Sequence, residues 1–242
     1  MVFPVARGLV IFPTYNEAEN IERILPEVLS KSPEIEALVI DDNSPDKTGD
    51  MVERMAAADS RIHLVRRPGK MGLGTAYVLG FKYMLEHGYD YCFEMDADFS
   101  HPPDKVPEMI ELLKDYDLVI GSRYSEGVSV VNWPMKRLLL SYFACMYARV
   151  VTGVPIRDLT AGFKAYRRET LAGIDLEKLK EDGYGFQIEI DFLIWRKGLR
   201  IKETPIVFTE RRAGTSKMNK RIVRRAFFLV LRLRLQRLFG RA

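Results

Sequence analysis

Five short apolar runs, each closed by a polar loop and followed by a helical pattern, constrain this chain more than any other feature. Residues 8–12, 37–40, 62–65, 91–95 and 118–120 read as buried strands. Between the first two, Ile21, Ile24, Leu25 and Val28 share one helical face; Met51, Val52 and Met55 do the same after the second. Pro13 closes the first strand, Asn16 with Glu19 fits a capping box, and Thr48 suits the cap of the next helix. Unbroken alternation of this kind predicts an α/β fold, a mostly parallel sheet with helices on both faces. In such a sheet the loops that follow the strands lie along one edge, where ligands bind. Loops 14–17, 41–46, 66–74, 96–101 and 121–123 are therefore expected to converge.

The fourth of these loops carries the most chemistry. Asp96 and Asp98 flank Ala97 at the end of an apolar strand, and Pro102 and Pro103 follow, able to open a helix but not to extend a strand. Two carboxylates at that place call for a counter-charge, and a divalent cation holding substrate phosphates is one. On these residues alone a second reading stands: one Asp caps the helix and the other is solvated. A nicotinamide site is disfavoured, because loop 13–20 has no glycine for close approach to a pyrophosphate. A Walker-type Gly-Lys-Ser/Thr is also absent. A nucleotide remains compatible, its base and ribose near Asp41 and Asp42 and its diphosphate held by metal.

Cys92 and Cys145 offer neither a disulfide framework nor a metal knuckle, which suits a reducing cytosol. The apolar stretch before Pro13 is too brief for a signal peptide. The net charge of +4 conceals an asymmetry: residues 211–242 hold eleven Lys or Arg and no acid, leaving 26 basic against 33 acidic residues elsewhere. A basic tail on an acidic body points to an anionic partner there, a membrane surface or nucleic acid.

Beyond Arg123 the rhythm changes. Residues 138–148 are an uncharged run too short to span a bilayer. Residues 157–163 form a loop into a strand, 185–195 a helix, and 201–208 a last strand with Pro205 at a bulge or edge. No repeat or linker divides the chain, so a single catalytic domain over 1–220 is expected, followed by a basic amphipathic segment, 221–242. Within that segment Ile222, Val223, Ala226, Phe227, Val230 and Leu233 share one helical face. Arg221, Arg224, Arg225 and Arg232 lie opposite, whereas Arg234 and Arg237 break the apolar side, which predicts a kink or end near Leu233.

Seven stretches in order resemble one family: Ile11-Phe12-Pro13-Thr14-Tyr15-Asn16-Glu17; Ile40-Asp41-Asp42-Asn43-Ser44-Pro45-Asp46; Asp96-Ala97-Asp98 with His101-Pro102-Pro103; Gly121-Ser122-Arg123-Tyr124; Asn132-Trp133-Pro134; Asp158-Leu159-Thr160 with Gly162-Phe163; and Gly214-Thr215-Ser216-Lys217. The chain is similar, over about residues 8–220, to the dolichyl- or polyprenyl-phosphate mannosyltransferases of glycosyltransferase family 2. The resemblance implies a GT-A fold built on one mixed, mostly parallel sheet, with a nucleotide-binding half over about 1–125 and an acceptor half over about 126–220. It implies inverting transfer of mannose from GDP-mannose to a polyprenyl monophosphate, with Mg²⁺ or Mn²⁺ as cofactor. By the same likeness Pro13, Tyr15, Glu17, Ile40 and Asp42 hold the guanosine, and Asp96, Ala97 and Asp98 the metal and diphosphate. Arg123, Arg137, Arg211 and Lys217 surround the phosphates, with Ser141 near the acceptor. One departure is Ser100, where the family often has Gln; the shorter side chain reaches a metal only through water.

The side chains suit that chemistry. A phosphate monoester has a second pKa of about 6 and is mostly dianionic at neutral pH, so no general base is needed. His63, His87 and His101 are accordingly read as ordinary surface or turn residues, and Asp158 and Thr160 as braces for the loop carrying Gly162. Arg123, Arg137 and Arg211 suit bidentate contact with phosphate. Residues 211–217, with Gly214 among cations, are expected to act as a lid. The tail is expected on the cytoplasmic membrane surface, making this a cytoplasmic, peripherally associated protein. Rival readings are a family 2 enzyme using another donor, such as UDP-glucose, and a nucleic-acid-binding protein using the tail. The acidic sheet edge and the lack of any nucleic-acid motif weigh against the last.

Overall fold

The computed structural model describes residues 6–209 and 220–239, and the side chains of all these except 220–224. The first half runs β1 (Gly8–Thr14), α1 (Ala18–Leu29), β2 (Ile35–Asp41), α2 (Thr48–Ala58), β3 (Ile62–Arg66), α3 (Leu73–Glu86), β4 (Tyr91–Glu94), α4 (Val106–Leu112) and β5 (Leu118–Ser122). The second half runs β6 (Val130–Val131), α5 (Met135–Thr152), β7 (Lys164–Arg167), α6 (Arg168–Ala172), α7 (Tyr184–Arg196), β8 (Ile201–Pro205), β9 (Phe208–Thr209) and α8 (Lys220–Phe239). Seven strands form one sheet in the order β3-β2-β1-β4-β7-β5-β8, and β6 pairs with β9 apart from it. Only β7 runs against its neighbours, so β1 to β5 all point the same way and their following loops share an edge.

Burial follows the strand period of two. Leu9 and Ile11 of β1 pack with α3 and α7 on one face; Val10 and Phe12 pack with α1 and α4 on the other. Covered on both faces, such strands read as continuous apolar runs. Pro13 does not end β1, which continues to Thr14 paired with Asp41. The pairing of β1 with β4 stops at Ile11, so the missing proline N–H interrupts no ladder there. Pro205 closes β8, at the sheet's edge.

The expected capping box is absent. Glu17, not Asn16, is the N-cap of α1, and Asn16 has left-handed backbone (φ 60°). The amides of Asn16, Glu17 and Ala18 donate instead to Ser44 Oγ, Thr48 Oγ1 and Asp46 Oδ2 of the β2–α2 loop. Thr48 thus serves the start of α1 rather than capping its own helix, whose N-cap is Lys47. The β2–α2 loop caps the neighbouring helix α1, which ties the two loops together at the functional edge.

The tail also differs from expectation. α8 is one continuous helix without a break at Leu233. Leu229, Val230 and Leu233 are buried in the core cluster that contains Ala148 of α5 and Ile188 of α7. Arg237, placed on the apolar side by the sequence pattern, is accommodated because its Nη1 donates to the Thr152 carbonyl at 2.8 Å and its guanidinium lies 4.9 Å from the Trp195 ring. No helix among the described residues is long and apolar enough to cross a membrane.

Candidate functional site

The converging loops open onto a cleft of about 1220 Å³. Pro13, Tyr15, Glu17, Asp42, Asp96, Ala97, Asp98, Arg123 and Arg137, all expected at the site, line it together. Two expected residues lie elsewhere. Ile40 is fully buried in the core, because β2 is covered on both faces at that register. Ser141, on α5, accepts a hydrogen bond from Tyr124 Oη at 2.9 Å and is not part of the cleft wall. Arg211, Lys217 and the expected 211–217 lid fall outside the described residues.

At one end, Asp41 and Asp42 divide the work. Asp41 is buried and braces its turn, accepting from Thr14 Oγ1 and from the Ser44 amide and hydroxyl. Asp42 turns to the cleft and pairs with Arg67 Nε at 2.5 Å. Arg67 is itself held by Thr75 Oγ1 and the Gly72 carbonyl. Lys70 sits 3.5 Å from the Tyr15 ring centroid, a cation–π contact that covers the aromatic face. Both cations come from the loop after β3, within the 66–74 stretch that the sequence places on this edge without assigning it a role.

In the middle lie the paired carboxylates. Phe99 holds left-handed backbone (φ 62°), unusual for a bulky side chain and a local strain that reverses the chain directly after Asp98. Ser100 N–H donates to Asp98 Oδ1 at 3.1 Å, and the buried Ser100 Oγ has no hydrogen-bond partner among the described residues. His101 corrects its assignment as an ordinary surface or turn residue. It is buried on the cleft wall, its ring stacked 5.2 Å from Phe163, and its Nδ1 accepts the Asp96 amide at 2.9 Å. Burial holds its pKa below the usual histidine value despite the nearby Asp96 and Asp98 charges. The ring therefore pins the backbone at the Met95–Asp96 peptide, where the carboxylate loop begins.

At the far end, Arg123 is 5% exposed and its charge is met by Asp158, which is fully buried. Its backbone N–H and Nε donate to Asp158 Oδ2, and Nη2 donates to Asp158 Oδ1 at 2.6 Å and to Thr160 Oγ1 at 2.8 Å. Asp158 and Thr160 thus fix an arginine rather than brace a loop. Burial pushes the Asp158 carboxyl up, but the charge and hydrogen bonds of Arg123 outweigh this and hold it below the usual range. Arg137, at the start of α5, lies 4.1 Å from the Trp133 ring centroid.

Other walls escape sequence reasoning because no local pattern marks them. Residues 180–185 and Gln187 enter from the α7 region, and Arg225, Phe228 and Arg232 from α8. Arg232 bridges Glu181 at 3.1 Å and Glu189 at 2.8 Å, tying the tail helix to the cleft's rim. Asp182 Oδ1 accepts the Gly74 amide at the start of α3, where a Cβ on Gly74 would lie 2.5 Å from the Glu181 carbonyl oxygen.

A mixed, mostly parallel sheet whose loop edge carries paired carboxylates beside a nucleotide-sized cleft is the arrangement of a nucleotide-sugar transferase of the GT-A type. The sequence model of Glycosyl transferase family 2 matches residues 9–174, and the chain belongs to that family. More particularly, it is 46% identical over 226 residues to the undecaprenyl-phosphate mannosyltransferase of Micrococcus luteus, covering 93% of both chains. It is also 46% identical over 231 residues to the polyprenol monophosphomannose synthase of Mycolicibacterium smegmatis, covering 95% of this chain and 87% of the relative. Among solved structures, the mannosyltransferase PcManGT of Pyrobaculum calidifontis in complex with GDP-Man and Mn²⁺ shares the fold. Its TM-score is 0.59 at 20% identity, covering 99% of this chain and 66% of that one.

Proposed function

We propose that this protein transfers mannose from GDP-mannose to a polyprenyl monophosphate with inversion at the anomeric carbon. The reading is carried by the paired carboxylates Asp96 and Asp98, which face one cleft with the arginines, in a chain 46% identical to two mannosyl-lipid synthases. The half before about residue 125 takes the nucleotide, and residues 126–220 take the acceptor. Tyr15, Glu17 and Asp42 line the guanosine end, with Arg67 and Lys70 added by the tertiary structure.

The donor set suits a divalent cation, Mg²⁺ or Mn²⁺. Among the described residues no cluster of three or more ligating side chains is preassembled. Two carboxylates leave the remaining positions to diphosphate oxygens and water, the usual arrangement for Mg²⁺, and the buried Ser100 hydroxyl can hold such a water. When bound, the cation neutralises charge on the departing nucleoside diphosphate. The protein's own residues do the rest. Arg123, locked by Asp158 and Thr160, offers its remaining N–H donors in a fixed position, which needs no reorganisation as the reaction proceeds. Arg137, stacked on Trp133, offers its charge to the incoming phosphate. The acceptor is already a dianion at neutral pH, so no side chain need remove a proton.

A membrane surface supplies the acceptor. α5 exposes Met135, Leu139, Tyr142, Phe143, Met146 and Val150 along one stripe, and α8 exposes Phe227, Phe228, Leu231, Leu235, Leu238 and Phe239 along another. The helices touch where Tyr147 stacks on Phe227 at 5.1 Å, so the stripes adjoin. An exposed apolar surface of this extent, bordered by Arg225 and Arg232 at the cleft, suits peripheral contact with an anionic cytoplasmic leaflet. Purified protein given labelled GDP-mannose, Mg²⁺ or Mn²⁺ and a polyprenyl phosphate is expected to form mannosyl-lipid, with EDTA stopping the reaction. Transfer from UDP-glucose in place of GDP-mannose would overturn the donor assignment.

A further inference from the structure

The cleft has a buried floor made by α3 and α7 that no role above uses. Tyr77 is fully buried, its ring packed against Phe81 (6.4 Å) and Phe186 (6.0 Å), which also meet each other at 6.4 Å. Its hydroxyl has no hydrogen-bond partner among the described residues. Gln187, 2% exposed, donates from Nε2 to Glu94 Oε2 at 2.6 Å, and its Oε1 likewise has no partner. Both residues line the cleft. Buried polar atoms are rarely left unpaired, because desolvation without a bond is costly. Two on one cleft floor point to a ligand that pairs with them.

The chemistry of that ligand follows from the floor's charge. The nearest buried cation, Lys164, is fully covered, its Nζ held by Asp191 Oδ1 at 2.7 Å and the Gln187 carbonyl. The two unpartnered groups of these lining residues are thus a phenol, which donates and accepts, and an amide oxygen, which only accepts. A phosphate, rich in acceptors and charge, is poorly matched to them; the hydroxyls of an uncharged sugar match them well. The floor belongs to the carboxylate end of the cleft, not the base end. Burial first, and then the charges of Asp96, Glu94 and Asp98, push the Tyr77 phenol well above its ordinary range. The buried cluster behind it aims the amide: Glu94 holds Gln187 and is itself held by Tyr166 Oη at 2.7 Å.

We propose that Tyr77 and Gln187 read the hydroxyl groups of the transferred hexose and so set which sugar the enzyme accepts. The inference rests on the donor being a sugar nucleotide. Tyr77→Phe removes only the unpartnered oxygen, so its Tm should not fall. Its affinity for GDP should match wild type, while the tighter binding of GDP-mannose over GDP should shrink. The value of kcat/KM for GDP-mannose should drop by about 3- to 20-fold. Monodeoxy-mannose donors complete a cycle: at one ring position the deoxy donor costs wild type the same factor but costs Tyr77→Phe nothing more. Unchanged donor binding and kcat/KM, or additive losses at every position, would overturn the proposal, and so would weakening of GDP itself. Wild type that binds GDP-mannose no better than GDP would instead overturn the mannosyl reading. The same comparison then runs with the sugar nucleotide that wild type does prefer.

Discussion

Asp98 and Asp158 are both carboxylates of the cleft region, yet their environments give them opposite tasks. Asp98 faces the cleft, and Asp98→Asn is expected to abolish metal-dependent transfer while leaving the fold intact, checked by turnover and circular dichroism. Asp158 is fully buried against Arg123. Asp158→Asn should cost about 3–5 kcal/mol in denaturant unfolding, because it strands a buried guanidinium. Glu94 and Asp191 both lie near the buried Lys164, and burial raises each carboxyl to about 7. The folded chain then holds more protons than the unfolded one between about pH 4 and 7, so this cluster's contribution to stability falls as pH rises through that window. Carboxylates held low, such as Glu36 and Asp158, act in the opposite direction and only below about pH 4. Unfolding midpoints at pH 5 and pH 8 should therefore decline less in Glu94→Gln than in wild type.

At the scale of elements, α8 has two apolar faces with different fates. Leu229 packs into the core and Leu235 is 57% exposed. Leu229→Ala should destabilise the protein by about 2–5 kcal/mol. Leu235→Glu combined with Phe143→Glu on α5 should leave the unfolding midpoint nearly unchanged but weaken flotation with anionic vesicles. Equal flotation of this variant and wild type would remove the two stripes from the membrane contact. Because Leu229, Val230 and Leu233 complete the core, truncation after Lys220 would expose it and is no clean test of anchoring.

For the whole molecule, the apolar stripes and the polar cleft form one path: α8 supplies exposed Phe227 and Leu231 on one side and cleft-lining Arg225 and Arg232 on another. On the proposed function, a lipid phosphate held at a bilayer surface would meet both. The Leu235→Glu, Phe143→Glu variant should therefore lose activity on long-chain polyprenyl phosphate in vesicles. It should keep near wild-type activity on a short, water-soluble prenyl phosphate. Equal loss on both acceptors would place the effect in the cleft rather than at the membrane.

The choice of Asp42 over Asp41 came from the family resemblance alone, since the residues themselves left both open. Strand and helix alternation, the shared loop edge and the Asp96–Asp98 pair were legible in the chain. Each depends on residues close in sequence: a two-residue period, a strand-ending loop, two carboxylates around one alanine. The antiparallel β7, the Arg123–Asp158 pair 35 residues apart and the Gln187–Glu94 contact 93 apart were not. His101 was misjudged for the same reason, since only the packing of Phe163 and Phe208 around its ring makes it a buried wall. The N-terminus of α1 was misjudged because its amides are satisfied by the neighbouring loop and not by its own residues. Local patterning determined the layers and the functional edge, because hydrophobic period and turn chemistry act over a few residues. Long-range packing alone decided which cations are fixed, which polar atoms are left for a ligand and which face of the tail is covered, because those depend on partners distant in the chain.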